Sequence, residues 1–135
     1  MSAGYNSGLS EYAHKGSLNL KETEESDSSI EEKVNQVADM IRQSNYTVFH
    51  TGAGISTSTG IPDFRGPKGV WTLEAKGESV DAGIQWEQAV PSFTHMAIVA
   101  LERAGRAQWV VTQNVDGLHV RSGFPQDRLA ELHGV

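Results

Sequence analysis

Four short stretches of this chain carry side chains whose types and spacing suit chemistry. The first is Gly52-Ala53-Gly54, which follows an apolar run and precedes Ile55-Ser56-Thr57. Glycines at a strand-to-helix turn let backbone N–H groups approach a pyrophosphate, and the helix N-terminus adds a favourable dipole. A full GxGxxG would place its third glycine at 57, where Thr57 stands. Spacing alone therefore fits a dinucleotide turn or a merely tight structural one. The second stretch is Asp63-Phe64-Arg65-Gly66, after Pro62. Phe64 can cover a ligand ring and Arg65 can meet phosphate or carboxylate; a surface turn with an Asp63–Arg65 pair is the plainer reading. The third is Gln113-Asn114-Val115-Asp116, just past a second apolar run. Ligands of open α/β sheets bind at that end of a strand, and two amides with an acid can hold a ribose or a carboxamide. Asx-turn chemistry would equally explain these polar residues. The fourth is His133, before Gly134, a general-base candidate or an ordinary surface histidine. His95 and His119 read as structural, and Trp71 as a packing aromatic.

The elements that must position these residues are legible. Ser28 and Glu31 have capping-box spacing, and Ile30, Val34, Val37, Ala38 and Ile41 recur at helical intervals. A strand is expected over Tyr46–Thr51, a helix over Thr94–Ala104 stopped by Gly105, a strand over Gln108–Thr112, and a third apolar piece over Leu129–Leu132. Between Gly66 and Ala89 the pattern reads as a long loop with short helical pieces. Residues 1–29, which include the acidic Glu22–Asp27, read as a mostly flexible tail that Tyr5, Leu9 and Tyr12 can staple to the body; residues 30–135 form the folded part. Helices alternating with buried-looking strands give an α/β layer with a parallel sheet, and only two or three strands are visible where five or six are usual.

Composition narrows the chemistry. Eleven Lys+Arg against 17 Asp+Glu leave a net charge of −6, which argues against a surface built to grip nucleic acid while leaving a local basic patch open. The chain has no cysteine, so it carries no disulfide, no cysteine nucleophile and no thiolate zinc site. The five histidines form no HxxxH pair, and no metal site is expected. No apolar run approaches the roughly 20 residues of a membrane span, and the start lacks the pattern of a signal peptide. A soluble intracellular protein is expected. No P-loop, paired-carboxylate site or GxSxG elbow is present.

Taken together, GAGIS at 52–56, GIPDFRG at 60–66, TQNVDGLH at 112–119 and ELHG at 131–134 resemble the sirtuin family of NAD-dependent protein deacylases, in the family's order. GPKGVWTLE at 66–74, THMAIVALE at 94–102, HVRSGFP at 119–125 and YNSGLSEY at 5–12 resemble its chromatin-associated sirtuin-6 branch. The resemblance implies an incomplete, N-terminal half of a Rossmann-like NAD-binding domain. Gly52, Ala53, Gly54 and Thr57 would line the pyrophosphate turn. Asp63, Phe64 and Arg65 would belong to the mobile cofactor loop, Phe64 against nicotinamide and Arg65 toward phosphates or ribose, with Trp71 also touching the cofactor. Gln113 and Asn114 would hold the nicotinamide ribose, Asp116 the carboxamide, and His133 would be the base. The acyl-lysine carbonyl oxygen would attack the anomeric carbon, nicotinamide would leave, and hydrolysis would give free lysine and O-acyl-ADP-ribose. Some members of the branch also transfer ADP-ribose to protein. Histones and other chromatin proteins in the nucleus are the implied substrates, with no membrane and no direct nucleic-acid site. The family's zinc module has four cysteines, so zinc is expected only in a full-length member. A truncated form of low activity, or a non-catalytic interaction fragment, is expected of the chain as it stands. An ordinary Rossmann oxidoreductase would want GxGxxG and an acid ending the second strand, and neither is evident.

Overall fold

The computed structural model describes residues 15–79 and 88–134. Three parallel strands form one sheet in the order β1-β2-β3: β1 is Val48–Thr51, β2 Trp109–Thr112 and β3 Leu129–Glu131. Thr51 pairs with Thr112, and Thr112 with Glu131. All three strands therefore finish at one level, and the chain leaves each of them on the same side. Parallel order demands crossovers. Helices α1 (Asp27–Gln43), α2 (Val70–Lys76), α3 (Phe93–Arg103) and α4 (Leu118–Arg121) lie between or before the strands. The expected α/β class with a parallel sheet is what the chain forms.

Two small cores support this layer. Ile98 and Val99 of α3, Val110 of β2 and Phe124 pack with Phe49 and Leu129. Ile61, Ala89 and Leu118 form the second cluster, on the side of the loops. The buried rings of His95 and His119 meet edge to face, with centroids 4.8 Å apart. His119 Nε2 is 2.9 Å from Thr51 Oγ1, which ties the end of β1 to α4. The structural reading of both histidines agrees with this burial. Burial pulls the His119 pKa down to about 4, helped by its neighbour His95 and opposed by Asp116; His95 is lowered as well, again by burial first.

Local expectations shift in instructive ways. The cap of α1 is Ser26, whose Oγ accepts from the Ser29 N–H. The Ser28–Glu31 capping box is not formed, because α1 starts at Asp27 and Ser28 lies inside it. The box occurs instead at α3, where Ser92 and His95 satisfy each other's backbone N–H. β1 begins two residues later than expected. The Tyr46 N–H is held by Ser44 Oγ and the Thr47 N–H by Gln108 Oε1. The loop after Gly66 does contain a helical piece, α2. Tyr5, Leu9 and Tyr12 lie outside the described residues, as does most of the variable stretch 77–90.

Candidate functional site

The three strand ends open on a cleft of about 560 Å³. It is lined by the Gly52-Ala53-Gly54 turn, by Asp63, Phe64, Arg65 and Trp71, by Gln113 through Asp116, and by His133. Four stretches separated by up to about 80 residues thus face one space. Thr57 is not part of that lining. It sits in a 3₁₀ turn with its hydroxyl on the Gly54 carbonyl, 3.2 Å away. Ser56, Ile61 and Pro62 also line the cleft, and none of them was given a ligand role from sequence.

Ser56 is the most informative of these. It is fully buried. Its Oγ donates to Asp116 Oδ2 at 2.7 Å and receives Asn114 Nδ2 at 3.4 Å. Asn114 Nδ2 also donates to the Gly52 carbonyl at 3.0 Å, and the Asn114 N–H to Thr112 Oγ1 at 3.0 Å. Asp116 Oδ1 caps the Leu118 N–H at 2.9 Å. One buried hydroxyl therefore locks the turn after β1 to the loop after β2, and it holds the Asp116 carboxylate in a fixed orientation. The Asx-turn reading and the ligand reading of this loop are compatible: Asp116 starts α4 with one oxygen and takes Ser56 with the other.

The Asp63–Arg65 stretch is built as the entrance to α2. The Asp63 and Phe64 carbonyls accept the N–H groups of Val70 and Trp71 at 2.8 and 2.9 Å. Both Asp63 carboxylate oxygens accept from the Gly66 N–H, at 3.1 and 3.2 Å, and among the described ion pairs Asp63 has no link to Arg65. Gly69 is required here, since a Cβ would stand 2.6 Å from the Phe64 carbonyl carbon. The turn brings the Phe64 and Trp71 rings to 4.9 Å, and the Arg65 guanidinium lies 4.8 Å over the Trp71 ring.

His133 is reached by counting along β3. Leu132 N–H donates to the Thr112 carbonyl at 2.9 Å, which ties the turn that carries His133 to the end of β2. His133 is exposed at the cleft mouth. Among the described residues no group of three or more His, Cys, Asp or Glu could hold a metal.

The donor set fits a nicotinamide dinucleotide. Apart from Gly54's own turn, no protein atom lies within 4 Å of where a Cβ on it would stand, so the space over that backbone is open. A carboxylate, two amides and an aromatic ring face the same cleft. A parallel sheet with a cleft at its carboxyl edge is the arrangement by which open α/β proteins, dinucleotide-binding ones among them, hold their ligands. Comparison with known proteins makes this specific. Residues 77–135 match the model of the Sir2 family. The chain is 54% identical over 134 residues to the NAD-dependent protein deacetylase Sirt6 of Drosophila melanogaster, covering 99% of this chain and 42% of that protein. It is 51% identical over 135 residues to the NAD-dependent protein deacetylase SRT1 of Oryza sativa subsp. indica, covering 99% and 28%. The solved structure titled Sir2-p53 peptide-NAD+ superimposes with a TM-score of 0.59 at 35% identity, covering 75% of this chain and 45% of that one. The chain belongs to the Sir2, or sirtuin, family. It spans less than half the length of these relatives.

Proposed function

We propose that this chain supplies the nicotinamide-ribose side of the active site of an NAD-dependent protein-lysine deacylase. The observation that supports this best is the convergence of the glycine turn, the Phe64–Arg65 loop, Asn114, Asp116 and His133 on one cleft. The names of the relatives add NAD and deacetylation. NAD, when bound, supplies an electrophilic ribose carbon with nicotinamide as its leaving group. The residues around it would divide the work. The open backbone at Gly54 receives the pyrophosphate. Asp116, already oriented by Ser56, accepts from the carboxamide N–H. Gln113 and Asn114 hold the ribose hydroxyls, and Phe64 covers the ring and excludes water. The exposed His133 imidazole takes a proton from a ribose hydroxyl. The substrate is an acyl-lysine on a protein, with histones and other chromatin proteins of the nucleus as its source. ADP-ribosyl transfer to protein would use the same residues.

One observation favours a second reading, a non-catalytic interaction fragment: α1 presents its apolar stripe to solvent, with Val34, Val37 and Met40 each more than half exposed. Release of nicotinamide from NAD by the full chain separates the two. The deacylase reading expects release that requires an acetyl-lysine peptide, and formation of free lysine that falls about 100-fold or more in His133→Ala. Peptide-independent release, or full retention of deacylation in His133→Ala, would overturn it.

A further inference from the structure

We infer that the segment Lys15–Asn19 is a strap that positions Arg65, and with it the Asp63–Gly69 loop. Lys15 and Asn19 lie in what composition marks as a solvated tail, yet both of their backbones are used by one residue some 50 positions away. Arg65 Nε donates to the Lys15 carbonyl at 2.7 Å. The Asn19 N–H donates to the Arg65 carbonyl at 3.0 Å, and Thr72 Oγ1 donates to that same oxygen at 3.1 Å. The strap is also pinned through the Lys15 side chain. Lys15 Nζ meets Glu74 Oε2 of α2 at 2.7 Å, in a pair whose side chains are only 21% and 34% exposed.

The backbone of the strap is shaped for this. Gly16 has φ of +73°, and a Cβ on it would stand 3.4 Å from Arg65 Nε. Asn19 has φ of +56° and is the only non-glycine at positive φ among the described residues. Asn tolerates that region better than other non-glycine residues. Two turns in the left-handed region therefore bring a carbonyl and an N–H of the strap to bear on the two ends of one arginine.

The consequence concerns the guanidinium. Arg65 is otherwise an exposed side chain with several rotatable bonds, and ordering such a side chain at a ligand costs conformational entropy. The strap takes Nε, and the Trp71 ring backs the guanidinium plane at 4.8 Å. The planar group is thereby fixed before any ligand arrives, with its direction set by the strap. Lys15, Gly16, Asn19 and Glu74 are positioning residues on this account, and the ligand class is a nucleoside diphosphate moiety. That ligand assignment rests on the reading proposed above; the grip of the strap on the loop does not.

The test uses the full chain, ADP-ribose as the probe, and two readouts. Binding is followed by tryptophan fluorescence, and loop order by the rate of trypsin cleavage after Arg65 and Lys68 without ligand. Lys15→Glu and Glu74→Lys are each expected to weaken ADP-ribose binding about 3- to 10-fold and to speed cleavage. The double exchange Lys15→Glu with Glu74→Lys is expected to restore both. Gly16→Val is expected to do the same damage as the single variants, since valine resists positive φ. Nicotinamide binding, which involves Asp116, is expected to stay unchanged in all of them. Wild-type cleavage rates in the single variants would overturn the strap, as would failure of the double exchange to restore them. Tighter ADP-ribose binding in the single variants would overturn positioning in favour of obstruction. If the wild-type chain binds no ADP-ribose, the function proposed above fails, and the cleavage rates still decide the strap.

Discussion

The loop end of the sheet and helix α1 are built on opposite principles. Ser56, Thr112, Asn114 and His119 are buried, and Ser56, Asn114 and His119 are each hydrogen-bonded to a residue about 60 positions away. In α1 no residue is buried, and its 17 residues are held by a local cap and by pairs such as Lys33–Glu25 and Arg42–Asp39. Those pairs are largely exposed and contribute little. The contrast separates two sources of structure. α1 follows from its own sequence, whereas the site exists only as an agreement between loops far apart in the chain.

The largest test of this contrast is a cavity. Leu118→Ala, at a fully buried position of the loop-side core, is expected to cost about 2–5 kcal/mol in a denaturant titration. A loss as small as that of a surface substitution would mean that this core is not holding the loops. Acid comes next. His119 is held at about 4 in the folded protein, against an ordinary value near 6.5. The unfolded chain therefore takes up a proton first as the pH drops. Stability supplied by neutral His119 is complete above about 6.5 and is lost progressively down to about 4. Thermal midpoints measured across that window are expected to fall, and to fall less steeply in His119→Gln. A flat profile would contradict the buried neutral ring.

Ser56→Ala probes the hinge between the loops. It takes the donor away from Asp116 and the acceptor away from Asn114, at an expected cost of about 1–3 kcal/mol. If Ser56 orients the carboxylate, nicotinamide affinity drops with it; stability lost with affinity intact would confine Ser56 to packing. The smallest effect is assigned to α1. Val34→Ala, at a residue 58% exposed, is expected to stay within about 0.5 kcal/mol of wild type. A larger cost would show that the stripe is covered in solution.

Much of the fold could be read from periodicity. The strands, α1 and α3 lie within two or three residues of their expected places, because apolar spacing and glycine stops are local signals. The N-cap of α1 was not separable from sequence, since Glu25-Ser26-Asp27-Ser28-Ser29 offers several competent caps in a row. Within the site, the glycines, Asp63–Arg65, Gln113–Asp116 and His133 were legible by type and family pattern. Ser56 was missed as a linker although it stands in the quoted GAGIS, because its partners lie about 60 residues away. The strap was invisible for a stricter reason. Its contacts to Arg65 are made by the main chain, and a carbonyl or an N–H leaves no mark on residue type.

The register of β3 has a consequence for insertions and deletions. Pairing of Thr112 with Glu131, followed by the Leu132 bond to the same Thr112, makes the strand a measuring rule whose last graduation is His133. Removing one residue between Leu129 and Leu132 would draw the turn that carries His133 back along the sheet by about 3.3 Å. The chain can therefore change letters along this rule far more freely than it can change its length.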